Sequence, residues 1–191
     1  MESLRPYVTH ADEQRTRVIV VLDVVESVRL MERDEQGFIR RWQAFVREVR
    51  DEVMHAFSGR LHKSTGDGLM LEFADPSDAI EAAFGLLRRA DAGNEGRAPH
   101  ERIELRVAAH VARFVEDEFD IYGCGVNLAA RLLGVVRPGE VCISALRDLL
   151  ADDAARMEDT GTHRLRHLSE PVQVYRVTPP AAVTNGPEAC A

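Results

Sequence analysis

A chain of 191 residues with 45% hydrophobic and 29% charged side chains fits one soluble globular domain with a single core. The net charge of −8 argues against a partner gripped through a phosphate backbone, which needs clustered Lys and Arg, but leaves a nucleotide open. No apolar stretch approaches the roughly 20 residues that cross a bilayer, and MESLRPYVTHADEQRTR has no secretory apolar core. Cys124, Cys142 and Cys190 are odd in number and lack metal-site spacing, so they read as buried or incidental thiols in a cytoplasmic setting.

Residues 1–16 read as an N-terminal extension. Val18 to Leu22 is a continuous apolar run, expected as a central strand covered on both faces, with Asp23 at its end. Phe38, Trp42, Phe45, Val49, Val53 and Phe57 recur at steps of three and four and predict one long amphipathic helix. Gly59 breaks it, and the mixed run Arg33-Asp34-Glu35 reads as a helix start on a solvated face. Arg60 to Lys63 and Leu69 to Phe73 flank STGDG and predict a hairpin. A second helical stripe runs from Ala79 to Ala90. Alternation then predicts a strand from Ile103 to Phe114, with Leu105, Val107, Ala109 and Val111 on one side.

A helix is expected near Tyr122 to Leu133, a turn at Pro138-Gly139, and a short strand at Val141 to Ile143. Ser144 is a plausible N-cap for a helix over Ala145 to Leu150. Strands near Arg164 and over Val172 to Val177 close the domain, and residues 178–191 read as a mobile tail. This order is compatible with a ferredoxin-like α+β sheet, mainly antiparallel, with helices on one face and a hairpin carrying polar residues, though periodicity alone supports several α/β arrangements.

Several of those polar residues have chemistry in common. An Asp ending a strand and an Asp in a neighbouring hairpin turn, Asp23 and Asp67, can converge on two Mg²⁺ or Mn²⁺ ions. Lys63 can only donate and ionised Asp120 can only accept, a pair that matches the N1 acceptor and N6 donor of adenine and mismatches guanine. Asn127 and Arg131, four residues apart, share a helix face, and a guanidinium suits the charge that develops on a reacting phosphoryl group. On residue type alone, blander readings stay open. Asp67 and Asp23 serve equally as turn and strand-end residues. Lys63 and Asp120 can be solvated charges, and Asn127 with Arg131 a cap beside an exposed arginine.

The segments DVVESVRLMERDE, HKSTGDGLMLEF, DIYGCGVNLAARL, RPGEVCIS and LRHLSEPVQVYRV, in this order, resemble the landmarks of the class III nucleotidyl cyclase catalytic domain. The resemblance covers residues 17–177, nearly the whole chain. It implies the cyclase homology fold, similar to a polymerase palm, and an adenylate cyclase that converts ATP to 3′,5′-cyclic AMP and pyrophosphate. It also implies two divalent cations per site, Mg²⁺ or Mn²⁺, held by Asp23, Asp67 and the backbone carbonyl of Val24. Lys63 and Asp120 would read adenine, Asn127 orient the ribose, and Arg131 stabilise the transition state. Ser27, at a helix start, and Arg166 are candidate phosphate contacts. The implied partner is a second copy of the chain, giving two composite sites, with no nucleic acid and no membrane insertion.

The alternatives are an inert nucleotide-binding or regulatory module, and a cyclase for another nucleoside triphosphate. Two departures from the family pattern stand out. Glu26, Ser27 and Val28 replace the usual Gly-Phe-Thr or Gly-Ser-Thr, and Ala108 and Ala112 replace glycines, a change expected to alter subunit packing. His62 and His110 are expected to face core or solvent and are assigned no metal.

Overall fold

The structure, a computed structural model, describes residues 14–150 and 156–179. Residues 1–13 of the expected N-terminal extension, most of the C-terminal tail and Cys190 lie outside the described residues, and Arg15 and Thr16 open the first strand. Strand β1 (Arg15–Val24) is central. It pairs antiparallel with β3 (Gly68–Phe73) on one side and with β4 (Leu105–Glu116) on the other. Strand β2 (Arg60–Ser64) forms the outer arm of the β2–β3 hairpin. Beyond β4 come β6 (Val141–Ser144), β8 (Val172–Val177) and β7 (Met157–His163), giving the order β2-β3-β1-β4-β6-β8-β7. The two-residue β5 (Ile121–Tyr122) folds back on the end of β4. The sheet is mixed, because β4 and β6 run parallel.

Helices cover both faces, not one. Val18, Val20, Leu22 and Val24 of β1 belong to the core under α1 (Ser27–Glu48) and α3 (Pro76–Gly93). Ile19 and Val21 point the other way, into a second core under α4 (Cys124–Leu132). A strand buried on both sides must be apolar at every position, which accounts for the unbroken run VIVVL. The sequence pattern could not tell how the helices divide between the faces, since each helix shows only that it has one apolar stripe.

Other differences have local causes. Helix α1 begins at Ser27, and Asp34 is a kink within it (φ −153°, ψ 79°). The Asp34 carboxylate accepts the Gly37 N–H at 2.9 Å and so caps the helix that resumes after the kink. The apolar stripe continues through a π-helical turn (Val49–Val53) into α2 (Met54–Ala56). Asp75 caps α3, accepting from the backbone N–H groups of Ser77 and Asp78. Tyr122 belongs to β5, and α4 starts at Cys124. The helix expected after Ser144 does not form: Ala145 takes φ 55°, and only a 3₁₀ turn over Arg147–Leu149 follows. Ser144 instead ends β6, buried against His110. Ala108 and Ala112 are fully buried in the α4 core, so their side chains pack within the chain. A Cβ on Gly125 of α4 would lie 2.9 Å from Ala112 Cα, so the alanine is accommodated by a glycine on the facing helix.

Candidate active site

The register of β1 against β3 brings the two aspartates together. Asp23 is paired with Gly68 of β3, so Asp67, one residue nearer the turn, stands beside it at the strand ends. The Val24 N–H donates to the Asp67 carbonyl at 3.0 Å and ties the end of β1 to the turn. Gly68 allows this approach, since a Cβ there would lie 2.8 Å from the Leu22 carbonyl oxygen. The turn itself uses Gly66 at φ 83°, a left-handed conformation that glycine adopts without strain.

Asp23, Asp67, Lys63, Asp120 and Asn127 line a single cleft of about 480 Å³. Its apolar walls include Val21, Leu69, Met70, Ile121 and Val126. Lys63 and Asp120 meet in a short ion pair from opposite sides of the cleft, one on β2 and one just before β5. The Asp120 carboxylate also accepts the Ile121 N–H at 2.8 Å. The Lys63 hydrogen bond, with that amide as the next cause, holds the Asp120 carboxyl below the usual carboxylate range. Asn127, on the first turns of α4, faces the cleft. Arg131 is exposed one turn further on and does not line it. Arg166 is exposed in the β7–β8 loop and does not line it either.

Both aspartates are already engaged by partners within the chain. The Ser27 hydroxyl donates to the Asp67 carboxylate in a short hydrogen bond. Ser27 is buried (7% exposed), so its side chain turns inward to Asp67 while its backbone starts α1. Glu26, at φ 50°, is exposed and pairs with Arg29 at 3.0 Å. Arg106 of β4 makes a bidentate pair with Asp23, at 2.6 and 2.9 Å. That hydrogen bonding, above all, raises the Arg106 pKa. Sequence reasoning missed Arg106. The available signal was a charged residue between the buried Leu105 and Val107, and its meaning depends on the cross-strand pairing of Asp23 with Arg106.

Among the described residues no cluster of three His, Cys, Asp or Glu side chains could enclose a metal. Two adjacent carboxylates in an open cleft are instead a partial set of hard oxygen donors. They suit a cation such as Mg²⁺, which keeps waters and takes further oxygens from a substrate phosphate. The donor chemistry therefore fits the implied cations, which Asp23 and Asp67 would hold, with Arg106 and Ser27 hydrogen-bonded to those carboxylates. No helix among the described residues is long and apolar enough to cross a membrane.

No protein-family model matches the chain. A Rhizobium meliloti protein named "Putative adenylate cyclase 3" is 31% identical over 168 residues, covering 87% of this chain. The chain spans only 29% of that relative's length. Among solved structures, an adenylate/guanylate cyclase/hydrolase from Silicibacter pomeroyi superposes with a TM-score of 0.77 at 28% identity, over 87% of this chain and 98% of that one. The adenylyl cyclase CyaB from P. aeruginosa shares the fold, with a TM-score of 0.75 at 20% identity over 90% of this chain and 98% of that one. The chain belongs to the class III adenylate/guanylate cyclase family.

Proposed function

We propose that the chain is an adenylate cyclase domain, converting ATP to 3′,5′-cyclic AMP and pyrophosphate at composite sites of a homodimer. The observation that carries this reading is that Asp23, Asp67, Lys63, Asp120 and Asn127 all border one open cleft, a face that a second copy would cover to complete two sites. In the reaction the ribose 3′-oxygen bonds to the α-phosphorus, and the bond from that phosphorus to the bridging α–β oxygen breaks. Lys63 donates to adenine N1 and Asp120 accepts from N6. Guanine would leave both groups facing a like partner, a mismatch that a buried polar site punishes strongly. Asn127 orients the ribose, and Arg131 meets the negative charge on the α-phosphoryl oxygens. Asp23 and Asp67, with the Val24 carbonyl, hold the cations. When bound, Mg²⁺ or Mn²⁺ supplies charge stabilisation at the attacking and leaving oxygens.

Two features support a site shared between copies. Arg131 lies outside the cleft of its own chain, and the loop bearing Asp120 exposes Phe119 and Tyr122 to 76% and 49%. Exposed aromatics of this kind are enriched at interfaces. In the dimer, Asp23 and Asp67 of one copy face Lys63, Asp120, Asn127 and Arg131 of the other. Ser27 and Arg166 are weaker phosphate contacts, Ser27 through its backbone amide because its hydroxyl is held by Asp67.

The test is to incubate purified protein with each nucleoside triphosphate and Mn²⁺ or Mg²⁺ and identify the products. Cyclic AMP from ATP, lost with a chelator, is expected. Binding of ATP with no turnover under any metal would favour a nucleotide-binding module. Cyclic GMP as the main product would overturn the base assignment.

A further inference from the structure

Lys63 is the only lysine in the chain; the other 23 of the 24 basic Lys and Arg side chains are arginines. The way it reaches the cleft depends on an irregularity in β2. Leu61 pairs with Leu71, whereas Lys63 pairs with Met70, so His62 is an extra residue between two successive rungs. Such a β-bulge bends the strand and re-aims the side chain that follows it. Leu61 and Leu71 pack in the α1/α3 core, and Met70 in the α4 core. In an unbulged strand Lys63 would share the face of Leu61, because side chains alternate with a period of two. The extra residue moves Lys63 to the opposite face, where the cleft opens.

The bulged residue is anchored. The His62 side chain is 6% exposed, and its Nε2 lies 2.5 Å from a Glu72 carboxylate oxygen. Its Nδ1 lies 3.9 Å from Glu116, and its ring meets Phe114 edge-on with centroids 6.3 Å apart. Arg17 pairs with Glu72 at 3.3 Å. Arg60 pairs with Glu116 at 2.5 Å, and Arg15 pairs with it as well. Glu116 ends β4, opposite Ile121 of β5, so the same network secures the arm that carries Asp120. A buried polar group of this kind is costly to leave without partners, which makes the network a rigid anchor.

We propose that His62, held by Glu72 and Glu116, is a positioning residue that maintains the β2 bulge, keeps Lys63 on the cleft face and thereby sets the preference for adenine. The claim rests on the reading of Lys63 as a base contact. Because the chain has one lysine, feeding ¹³Cε-lysine places a single NMR probe at Lys63 and reports its position without any assay of turnover.

The experiment compares wild type with His62→Ala and with His62→Gln, whose amide still donates to Glu72. In His62→Ala the lysine signal should move to that of a free, mobile side chain. The KM for ATP should rise about tenfold with kcat changed less than about threefold, the pattern of lost uniform binding. The ATP-over-GTP ratio should fall, the metal concentration for half-activation should stay the same, and His62→Gln should restore most of each effect. A folded His62→Ala with the wild-type lysine signal, KM and nucleotide ratio overturns the proposal. If that variant does not fold, Glu72→Gln carries the same test, with the same directions expected and no change as the refutation. Lys63→Met run in parallel separates the two claims: if it retains the ATP preference, base reading by Lys63 has failed, and the lysine signal still judges the bulge.

Discussion

The ammonium of Lys63 and the carboxylate of Asp120 illustrate how a pair of ordinary residues acquires a defined ionisation state. Lys63 holds the Asp120 carboxyl below its usual range, with smaller help from the Ile121 amide. A depressed carboxyl keeps its charge above the lowered value and loses it only as the pH falls through that value. ATP affinity in the wild type should therefore be steady through mildly acidic pH. Lys63→Met removes the principal cause, so the low-pH rise in KM should begin at a higher pH than in the wild type. Profiles of KM for ATP against pH in the two proteins decide this, and the same onset in both would contradict it. The donor and acceptor roles of this pair were legible from residue type alone. Arg106 was not, because its partner Asp23 is 83 residues away and only the β1–β4 register joins them.

At the scale of elements, the hairpin and the long helix were legible because their periodicities are local. STGDG between two strand-forming arms becomes the β2–β3 turn, and the stripe from Phe38 to Val53 becomes the buried face of α1 and its π-helical extension. The kink at Asp34, the bulge at His62 and the short turn after Ser144 were not legible. Each depends on a hydrogen bond or a strand partner that the pattern of apolar residues does not encode. The tight fit between β1 and the hairpin turn gives a prediction of its own. Gly68→Ala would push a methyl group against the Leu22 carbonyl and separate Asp67 from Asp23. We expect a loss of about 1–3 kcal/mol in chemical denaturation, as for other overpacked positions. The metal concentration for half-activation should also increase. Unchanged metal dependence in a folded Gly68→Ala would show that the strand-end spacing does not govern the carboxylate pair.

On the scale of the whole molecule, a mixed sheet with helices on both faces holds Asp23, Asp67, Lys63, Asp120 and Asn127 around one cleft, while Arg131 stands outside it. A two-fold dimer brings one patch of each copy against a different patch of the other, twice over. Each copy would then carry every required residue and still need a partner to react. The most direct test is cyclic AMP production by Asp23→Ala and Arg131→Ala, separately and mixed. Each variant alone should be inactive. In a mixture, one site of the heterodimer collects both defects and the other collects neither. With free exchange of subunits and independent sites, equal mixing should recover about a quarter of wild-type activity, as the symmetry of the interface implies. No recovery despite demonstrated exchange of subunits would contradict the shared adenylate cyclase site.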